Sequence, residues 1–390
     1  MTTPYYQDDA VTIYHGDALD VMRSMPDNSV DLIATDPPYF RVKTEQWDRQ
    51  WDDAEAFLSW IGELCEQWQR LLKPNGSLYC FASAQMRARV ELAVAEWFCC
   101  LPTITWAKED KGGGGQWKRA DKASLRSYFP QTEAIIFAEH YSADNMANGE
   151  AGYAAKCDEL RGFVFEPLRA YFAAEKARCG ISTAEIMDGM EAEGVGRYMF
   201  ARHTFTRSQW QLPTREQYEA ARRVFARYDG GDYLRREYDY LRREYEDLRR
   251  EYEDLRRPFY ASDDRPYTDV WTFCTVGAYK GKHPCEKPID LMRHIVRTSS
   301  RPGDTVLDCF GGSGTTAHAS ATLGRKAVLI EFDREWCGKS ADRIRTQARY
   351  VLPFAIEPDT QQLTARDGLT ESDAQPLFAA DDAEPTETDK

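Results

Sequence analysis

Residues 31–40 have the sequence Asp-Leu-Ile-Ala-Thr-Asp-Pro-Pro-Tyr-Phe, in which an apolar strand ends in an acid, two prolines and an aromatic residue. The prolines fix φ and supply no N–H, so we expect carbonyls free to accept hydrogen bonds beside the carboxylate of Asp36. Two acceptors that hold the hydrogens of a planar amino group favour the pyramidal nitrogen that can attack an electrophile. By itself, the segment is also compatible with a rigid Pro-Pro turn after a core strand.

A second signature lies more than two hundred residues downstream. Asp304–Asp308 predicts a strand, Cys309–Thr315 a glycine-rich turn, and Ala317–Leu323 a helix. The glycines let the backbone approach a ligand closely, and the amides that open the helix can hold a carboxylate. Lys326–Glu331 predicts a further strand ending in an acid, where doubly wound sheets bind a ribose. A strand, a glycine-rich turn with its helix, and a second strand ending in an acid occur here in order and at suitable spacing, which argues against a chance occurrence of the pattern.

These motifs resemble those of the amino-methyltransferases that use S-adenosylmethionine. The catalytic motif precedes the cofactor motif, which resembles the circularly permuted β class of DNA amino-methyltransferases. The resemblance covers about residues 10–140 and 267–350. It implies an α/β fold with a circularly permuted Rossmann-like sheet and an intervening segment that recognises double-stranded DNA. The implied reaction is direct in-line transfer of a methyl group to adenine N6 on a flipped base, without a covalent enzyme intermediate.

The resemblance also implies roles for individual residues. Asp36 and the Pro37 carbonyl, with Pro38 in the same motif, would hold the amine, and Tyr39 would stack on the base. The residues expected to bind the cofactor are Asp17, Lys287, Asp308, Phe310, Gly311, Gly312, Ser313, Gly314, Thr315 and Glu331. Asp17 is also compatible with a simple turn. Cys285-Glu286 stands where the family often has Thr-Gln, which leaves the role of His283 open. No metal ion is expected.

Other substrates fit less well. Cytosine N4 is the nearest alternative, but cytosine enzymes of the class more often carry serine at the position of Asp36. Enzymes that methylate protein glutamine usually have asparagine there, and neither they nor RNA methylases explain the long insert. A DNA-binding regulator with an inactive methyltransferase fold is an alternative of a different class. The intact Asp36 and glycine turn argue against it.

Length and composition agree with a large intracellular enzyme. The 390 residues, of which 42% are hydrophobic, can form two domains or one domain with a large insert. We find no signal peptide and no apolar stretch of membrane-spanning length. Ten cysteines occur without a Cys-x-x-Cys pair or histidines at zinc spacing. We therefore expect a cytoplasmic protein with scattered free thiols.

The net charge of −14 argues at first against a nucleic-acid partner. Ten acids against two basic residues lie in residues 357–390, however, and we expect residues 353–390 to form a disordered acidic tail. A cluster of basic residues surrounds four glycines between Lys108 and Arg126. It predicts a flexible loop that contacts DNA phosphates, with an ordinary solvated loop as the alternative. The loop residues expected to bind DNA are Lys108, Lys118, Arg119 and Arg126.

Strand and helix patterns divide the chain into three parts. Strands are predicted at 11–14, 31–34, 77–81, 102–106, 133–137 and 270–274, and helices at 54–72, 85–97 and 289–298. Such alternation indicates a parallel sheet. We predict a catalytic half at 1–139, a helical target-recognition insert at 140–266, and a cofactor-binding half at 267–352. The Trp-rich segment 41–53 predicts a mobile loop that closes over the base, although its tryptophans, Trp47 and Trp51, are also compatible with packing.

The insert contains four predicted helices, at 165–179, 183–190, 195–203 and from Thr214 onward. Their arrangement resembles a helix-turn-helix of the lambda-repressor type. Residues 194–227 hold seven arginines against two acids. We expect Arg197 to contact a base edge, Arg202 to contact a phosphate, and Arg207 to belong to the same DNA-binding surface. A purely structural insert is the alternative.

Residues 232–257 repeat Leu-Arg-Arg-Glu-Tyr every seven residues. Leucine and tyrosine alternate at the spacing of a coiled-coil seam, which predicts one helix about 39 Å long. Packing on the insert is the favoured interpretation. Pairing with a second subunit in a homodimer, or lying along DNA, are alternatives. The sequence leaves open whether a restriction endonuclease is a partner.

Overall fold

The computed structural model describes residues 3–109, 121–128, 131–140, 153–261 and 266–348. The predicted acidic tail at 353–390 lies outside the described residues, as do Lys118 and Arg119 of the predicted basic loop.

In these ranges ten strands form one sheet: β1 (Tyr6–Gln7), β2 (Val11–His15), β3 (Val30–Thr35), β4 (Leu72–Ala82), β5 (Cys99–Cys100), β6 (Ile104–Glu109), β7 (Thr132–Glu139), β8 (Val270–Cys274), β9 (Thr305–Asp308) and β10 (Lys326–Glu331). Their spatial order is β1-β2-β10-β9-β3-β4-β7-β6-β8, and β5 pairs with β7. The helices are α1 (Ala18–Arg23), α2 (Ala54–Leu71), α3 (Arg87–Ala95), α4 (Tyr153–Val164), α5 (Glu166–Cys179), α6 (Thr183–Ala192), α7 (Met199–Phe205), α8 (Arg215–Asp229), α9 (Tyr238–Leu255), α10 (Ile289–Ser299), α11 (Thr315–Thr322) and α12 (Arg334–Gln347).

The sheet is mixed. Strands β2, β10, β9, β3 and β4 run parallel to one another, and β6 runs parallel to β8, whereas β1 is antiparallel to β2 and β7 is antiparallel to both β4 and β6. The expectation of a parallel sheet was therefore wrong for β7. The chain leaves β4, crosses over through α3 and enters β6 parallel to β4, one position away. β7 then returns from β6 and fills the space between them, so it must oppose both.

Helices cover both faces of the sheet, as predicted for an α/β fold. Adjacent residues of β3 point to opposite faces. Ile33 packs with the buried residues of α2 and α3, whereas Leu32 and Ala34 pack with those of α10. Helix α2 matches its predicted range to within one residue, and its N-cap is Asp53, whose side chain accepts a hydrogen bond from the Ala56 amide at 2.8 Å.

The topology brings the sequence motifs together at one edge. β10, β9 and β3 are adjacent parallel strands, and they end at Glu331, Asp308 and Thr35. The carboxyl ends of parallel strands meet at the same edge of a sheet. The Pro-Pro-Tyr segment, the glycine turn and the acid after the last strand therefore lie side by side.

In the insert, residues 140–266, most helices begin and end where the local sequence predicts. The Ser-x-x-Glu sequence at 182–185 forms a capping box at the start of α6, and α5 ends at Gly180 with φ of 74°. Helix α7 begins four residues later than predicted. Gly194 and Gly196 both have positive φ, which a continuous α-helix cannot accommodate. Helix α4 was not predicted.

The heptad segment forms a shorter helix than expected. α9 begins at Tyr238 because Leu234 is buried with φ of 52°, its amide donating to Glu175 at 2.6 Å and its carbonyl accepting from Tyr218 at 2.8 Å. The helix is therefore about 27 Å long. Its tyrosine seam packs inward, and Tyr245 stacks on Phe165 with ring centroids 5.4 Å apart. Packing on the insert, the favoured interpretation, is confirmed.

Buried polar contacts attach these helices to the sheet. Arg257, just after α9, pairs with Glu139 of β7 across 3.3 Å, and both side chains are buried. Arg301 donates to the carbonyl of Arg256 at 2.8 Å and to that of Glu253.

Two further sequence expectations concern the chain as a whole. All ten cysteines are free thiols. None of the helices in the described ranges combines the length and apolar character needed to cross a bilayer.

Two heptad leucines allow a test of the buried seam. Leu241 is fully buried and Leu255 is 45% exposed. Leu241→Ala should lower the free energy of unfolding by about 2–5 kcal/mol through the cavity it leaves, whereas Leu255→Ala should change it by less than about 0.5 kcal/mol. Urea denaturation at several protein concentrations provides the measurement. Equal, concentration-dependent losses in both variants would instead indicate a seam between two subunits.

Candidate active site

A cavity of about 990 Å³ lies at the carboxyl ends of β3, β9 and β10. The predicted catalytic and cofactor residues that line it are Asp17, Asp36, Pro37, Pro38, Tyr39, Lys287, Asp308, Phe310, Gly311, Gly312, Ser313, Thr315 and Glu331. Gly314 lies behind the wall, where a Cβ atom would come within 2.9 Å of Ser340. One cavity thus joins residues that the sequence separates by almost the whole chain.

Lys287 stands at the catalytic motif and forms an ion pair there. Its ammonium nitrogen lies 2.7 Å from Asp36 Oδ2, 3.0 Å from the Tyr39 hydroxyl and 3.2 Å from Glu133 Oε2. Burial alone would lower the pKa of Lys287, but Asp36 and Glu133 outweigh it and raise that pKa above its ordinary value. Lys287 had been expected to contact the cofactor. Lys287 does line the cavity, but its ammonium group donates hydrogen bonds to Asp36 and Tyr39 of the catalytic motif.

Glu133 of β7 is a site residue that the sequence analysis missed. Its Oε1 lies 2.5 Å from Lys108 Nζ, and its Oε2 accepts from the Tyr39 hydroxyl at 3.2 Å. Burial would raise the pKa of Glu133, but Lys287 and Lys108 hold it at about 2. Lys108, expected to contact a DNA phosphate, is therefore engaged by a carboxylate. No sequence pattern pointed to Glu133, because only the pairing of β7 between β4 and β6 brings it to the site.

One oxygen of the Asp36 carboxylate is left for a ligand. Oδ2 binds Lys287, whereas Oδ1 is buried and has no hydrogen-bond partner among the described residues. Burial raises the pKa of Asp36, and Lys287 offsets that effect only in part. A buried acceptor without a partner is costly, by about 1–3 kcal/mol, unless a ligand donates to it.

The Trp-rich segment after the motif is held from inside by a buried carboxylate. Asp48 accepts from the Tyr39 amide at 2.7 Å and from the Lys43 amide at 2.5 Å. Phe40 and Arg41 both have φ near 60°, a conformation that L-residues adopt only when the surroundings enforce it. Of the two tryptophans, Trp51 is buried against Phe57 and Trp60, whereas Trp47 is partly exposed at the cavity. Trp51 therefore packs against these rings and also lines the cavity.

The glycine turn forms a tight wall opposite Asp36. Gly312 has φ of 49°, and a Cβ atom there would lie 3.1 Å from the His283 ring. His283 packs edge-on against Trp336 at 4.5 Å, and burial lowers its pKa to about 4. The turn therefore has room for a ligand against its backbone but none for a side chain.

Two acids organise this turn. Asp308 accepts from the hydroxyls of Thr35 at 3.2 Å and Thr316 at 2.6 Å, and burial raises its pKa to about 6. Glu331 accepts from the amides of Gly312 and Asp333, each at 2.7 Å. Both carboxylates shape the backbone, and each oxygen of Glu331 keeps a second lone pair for a ligand.

Glu286 is one of the two residues at which the sequence departs from the family pattern, and it forms an ion pair with Arg343. Its buried carboxylate lies 2.8 Å from Arg343 of α12 and accepts from the Tyr279 hydroxyl at 2.5 Å. Arg343 in turn donates to the Ser313 carbonyl at 3.2 Å. This contact ties the segment of His283 to the glycine turn.

Asp17 caps a helix. Its side chain accepts from the amides of Leu19 at 2.9 Å and Asp20 at 3.2 Å, at the start of α1. It also lines the cavity, so the cap and a ligand contact are compatible.

Six of the seven arginines within residues 194–227 have carboxylate partners. Arg197 pairs with Asp188 at 2.7 Å and Glu191 at 2.8 Å, both on α6. The other pairs within residues 194–227 are Arg207 with Glu166, Arg215 with Asp239, Arg222 with Glu219, and Arg223 and Arg227 with Glu193. In the described part of the chain, Arg202 bonds a neutral amide, that of Gln209. In the loop, Arg126 is exposed and donates to nearby carbonyls.

The chain is similar in sequence to known DNA methyltransferases. The DNA adenine methyltransferase YhdJ of Escherichia coli K12 is 24% identical over 94% of this chain and 95% of its own length. The type II methyltransferase M2.DpnII of Streptococcus pneumoniae is 24% identical over 89% and 94%. Among solved structures, the cytosine-N4-specific PvuII DNA methyltransferase has a TM-score of 0.48 and 13% identity, covering 93% of each chain.

Residues 30–342, well over half of the chain, match the family described as DNA methylase. That match includes the Pro-Pro-Tyr motif, the insert, the glycine turn and the strand that ends at Glu331. The chain therefore belongs to the DNA methylase family, whose methyl donor is S-adenosylmethionine.

Proposed function

We propose that the protein transfers a methyl group from S-adenosylmethionine to adenine N6 in DNA, as a member of the circularly permuted β class. One observation carries the proposal. Asp36 Oδ1 is a buried acceptor without a partner among the described residues, in a cavity that also holds the glycine turn. A carboxylate oxygen beside the Pro37 carbonyl can receive the two hydrogens of an exocyclic amine.

The chemistry follows from the lone pair of that amine. In the base it is delocalised into the ring, and two acceptors that hold the hydrogens favour a pyramidal nitrogen. Bound S-adenosylmethionine supplies the electrophilic methyl group. Tyr39 stacks on the base, which is flipped from the duplex at a cost of a few kcal/mol. Lys287 engages Oδ2 of Asp36, so that Oδ1 remains for the amine.

The cofactor is assigned to the opposite wall. The amides and small residues at 311–315 hold the methionine end, where a Cβ atom at Gly312 would collide with His283. Glu331 uses its remaining lone pairs for the ribose hydroxyls, and Asp17 lies near the adenine. Asp308 contributes by holding the glycine turn in its conformation. Lys287 is reassigned from the cofactor to Asp36.

Adenine is favoured over cytosine N4 on two grounds. The motif carries an acid, and relatives that align over almost the whole chain include a named DNA adenine methyltransferase. The type II methyltransferases among the relatives support a modification role beside a restriction endonuclease.

The helical insert, residues 140–266, is assigned to target recognition, with residues 1–139 and 267–352 as the two halves of the catalytic domain. Helices α4 to α9 pack around a core of their own, which supports a separate recognition unit. Because the heptad seam is buried in that core, it gives no argument for a homodimer.

Nucleoside analysis tests the reaction. Plasmid incubated with labelled S-adenosylmethionine and digested should yield labelled N6-methyladenosine. Asp36→Ala should abolish the product and leave cofactor binding nearly intact by calorimetry, because the side chain serves the amine. Asp52→Ala, which removes an exposed carboxylate outside the cavity, is the matched control. N4-methylcytidine would transfer the proposal to cytosine, and no product from the wild type would refute it.

The cofactor wall can be tested separately. Gly312→Val should abolish calorimetric binding of S-adenosylmethionine, because its side chain meets His283 and its φ of 49° strains a β-branched residue. Glu331→Ala should weaken binding through lost hydrogen bonds to the ribose and a looser turn. Gly62→Val on α2, where no atom lies within 4 Å of the added Cβ, should bind normally. Normal binding in the first two variants would place the cofactor elsewhere.

Among the arginines at 194–227, Arg202 is the one whose side-chain partner is a neutral amide, so it is the first residue at which to test DNA binding by the insert. Arg202→Ala should weaken binding to all sequences and reduce the slope of log K against log salt by about 0.9, as expected for one lost phosphate contact. Arg197→Ala should relax sequence preference if Arg197 leaves its acidic partners for a base. Filter binding at several salt concentrations and methylome sequencing measure both effects. Arg23→Ala on α1 is the control, and unchanged behaviour of both insert variants would exclude this surface.

A further inference from the structure

Four charged side chains and a phenol form one cluster beneath the cavity. Lys108 bonds Glu133, Glu133 bonds Lys287, and Lys287 bonds Asp36, with all three N–O distances between 2.5 and 3.2 Å. Tyr39 joins the cluster through its hydroxyl. These residues come from β6, β7, the segment before α10, and the turn after β3, so the cluster exists only in the folded chain.

The hydrogen bonds of the cluster form a closed set. An ammonium group has three protons, and Lys287 has three oxygen acceptors: Asp36 Oδ2, the Tyr39 hydroxyl and Glu133 Oε2. The Tyr39 hydroxyl accepts from Lys287 and faces two carboxylates, that of Glu133 at 3.2 Å and that of Asp36. Within the cluster, Asp36 Oδ1 is the buried acceptor that is left over.

We propose that Glu133 is a positioning residue for methyl transfer, which it controls through Lys287 and Tyr39. It fixes the ammonium group that engages Asp36 Oδ2 and the hydroxyl of the ring that stacks on the base. The inference rests on the proposed function, because it assumes that Asp36 Oδ1 receives the target amine. Glu133 itself lies behind these groups, outside the lining of the cavity.

Charge balance gives Glu133 a second effect on the same step. Two carboxylates, Asp36 and Glu133, face two ammonium groups, Lys287 and Lys108. During the reaction the bond from sulfur to the methyl carbon breaks and the bond to the amine nitrogen forms, so the sulfonium becomes a neutral thioether and positive charge moves onto the nitrogen, which then releases one proton to solvent. Without the Glu133 charge, a buried excess of positive charge would lie beside that nitrogen and oppose the transfer. Interactions between charges are strong in such buried surroundings.

The test compares Glu133→Gln with Lys108→Met in the full-length protein. Glu133→Gln keeps the size of the side chain and should reduce kcat on the order of 100-fold, as expected when reacting groups lose their alignment. The KM for DNA and the calorimetric Kd for S-adenosylmethionine should stay close to the wild-type values. Lys108→Met leaves Glu133 bonded to Lys287 and should reduce kcat much less.

A double variant separates positioning from a general structural role. If Glu133 acts through Lys287, then Glu133→Gln should lower kcat less in a Lys287→Met background than in the wild type. Unchanged kcat in Glu133→Gln, or losses that multiply in the double variant, would overturn the proposal. So would a loss confined to cofactor affinity, or one matched by a fall in Tm. A wild-type protein that yields neither methylated nucleoside would instead refute the proposed function, and the inference with it.

Discussion

The site depends on a buried ion pair between residues 251 positions apart in the chain, Asp36 and Lys287. Neither charge is stable in the interior alone, since a buried unpaired ion costs several kcal/mol. The pair therefore holds the catalytic turn after β3 against the segment that leads into α10. It also gives the two oxygens of Asp36 different environments: Oδ2 bonds the ammonium group, and Oδ1 is buried without a hydrogen-bond partner among the described residues. Lys287 also pairs with Glu133, so its charge keeps a buried counterion beside Asp36.

Ion pairs also change the interpretation of the insert as a basic surface. Counting charge within residues 194–227 indicated a strongly basic face, with seven arginines against two acids. The structure supplies most of these arginines with partners from outside that window, among them Asp188, Glu191 and Glu193. These are largely exposed pairs, which contribute little to stability because solvent screens them. A phosphate can therefore compete for such an arginine, but it must displace a carboxylate first.

Strain near the catalytic motif has a clear origin. Phe40 and Arg41 take left-handed conformations because Asp48, buried below them, bonds the amides of Tyr39 and Lys43. Two such residues store about 1–3 kcal/mol each. The segment that the sequence suggested as a mobile loop is thus the wall of the cavity, held in place by one carboxylate.

The sequence by itself determined the local features: the ranges of most strands and helices, the capping box at Ser182, and the glycine turn at 309–315. These depend on periodicity and on neighbours a few residues away, which the sequence displays directly. Tertiary structure alone decided the antiparallel course of β7, the left-handed Leu234 that shortens the heptad helix, and the pairing of Glu133 with Lys287. Each of these depends on contacts between distant residues, and the energy of a buried charge is set by which partner the fold brings within about 3 Å. No pattern within a short window can encode that choice.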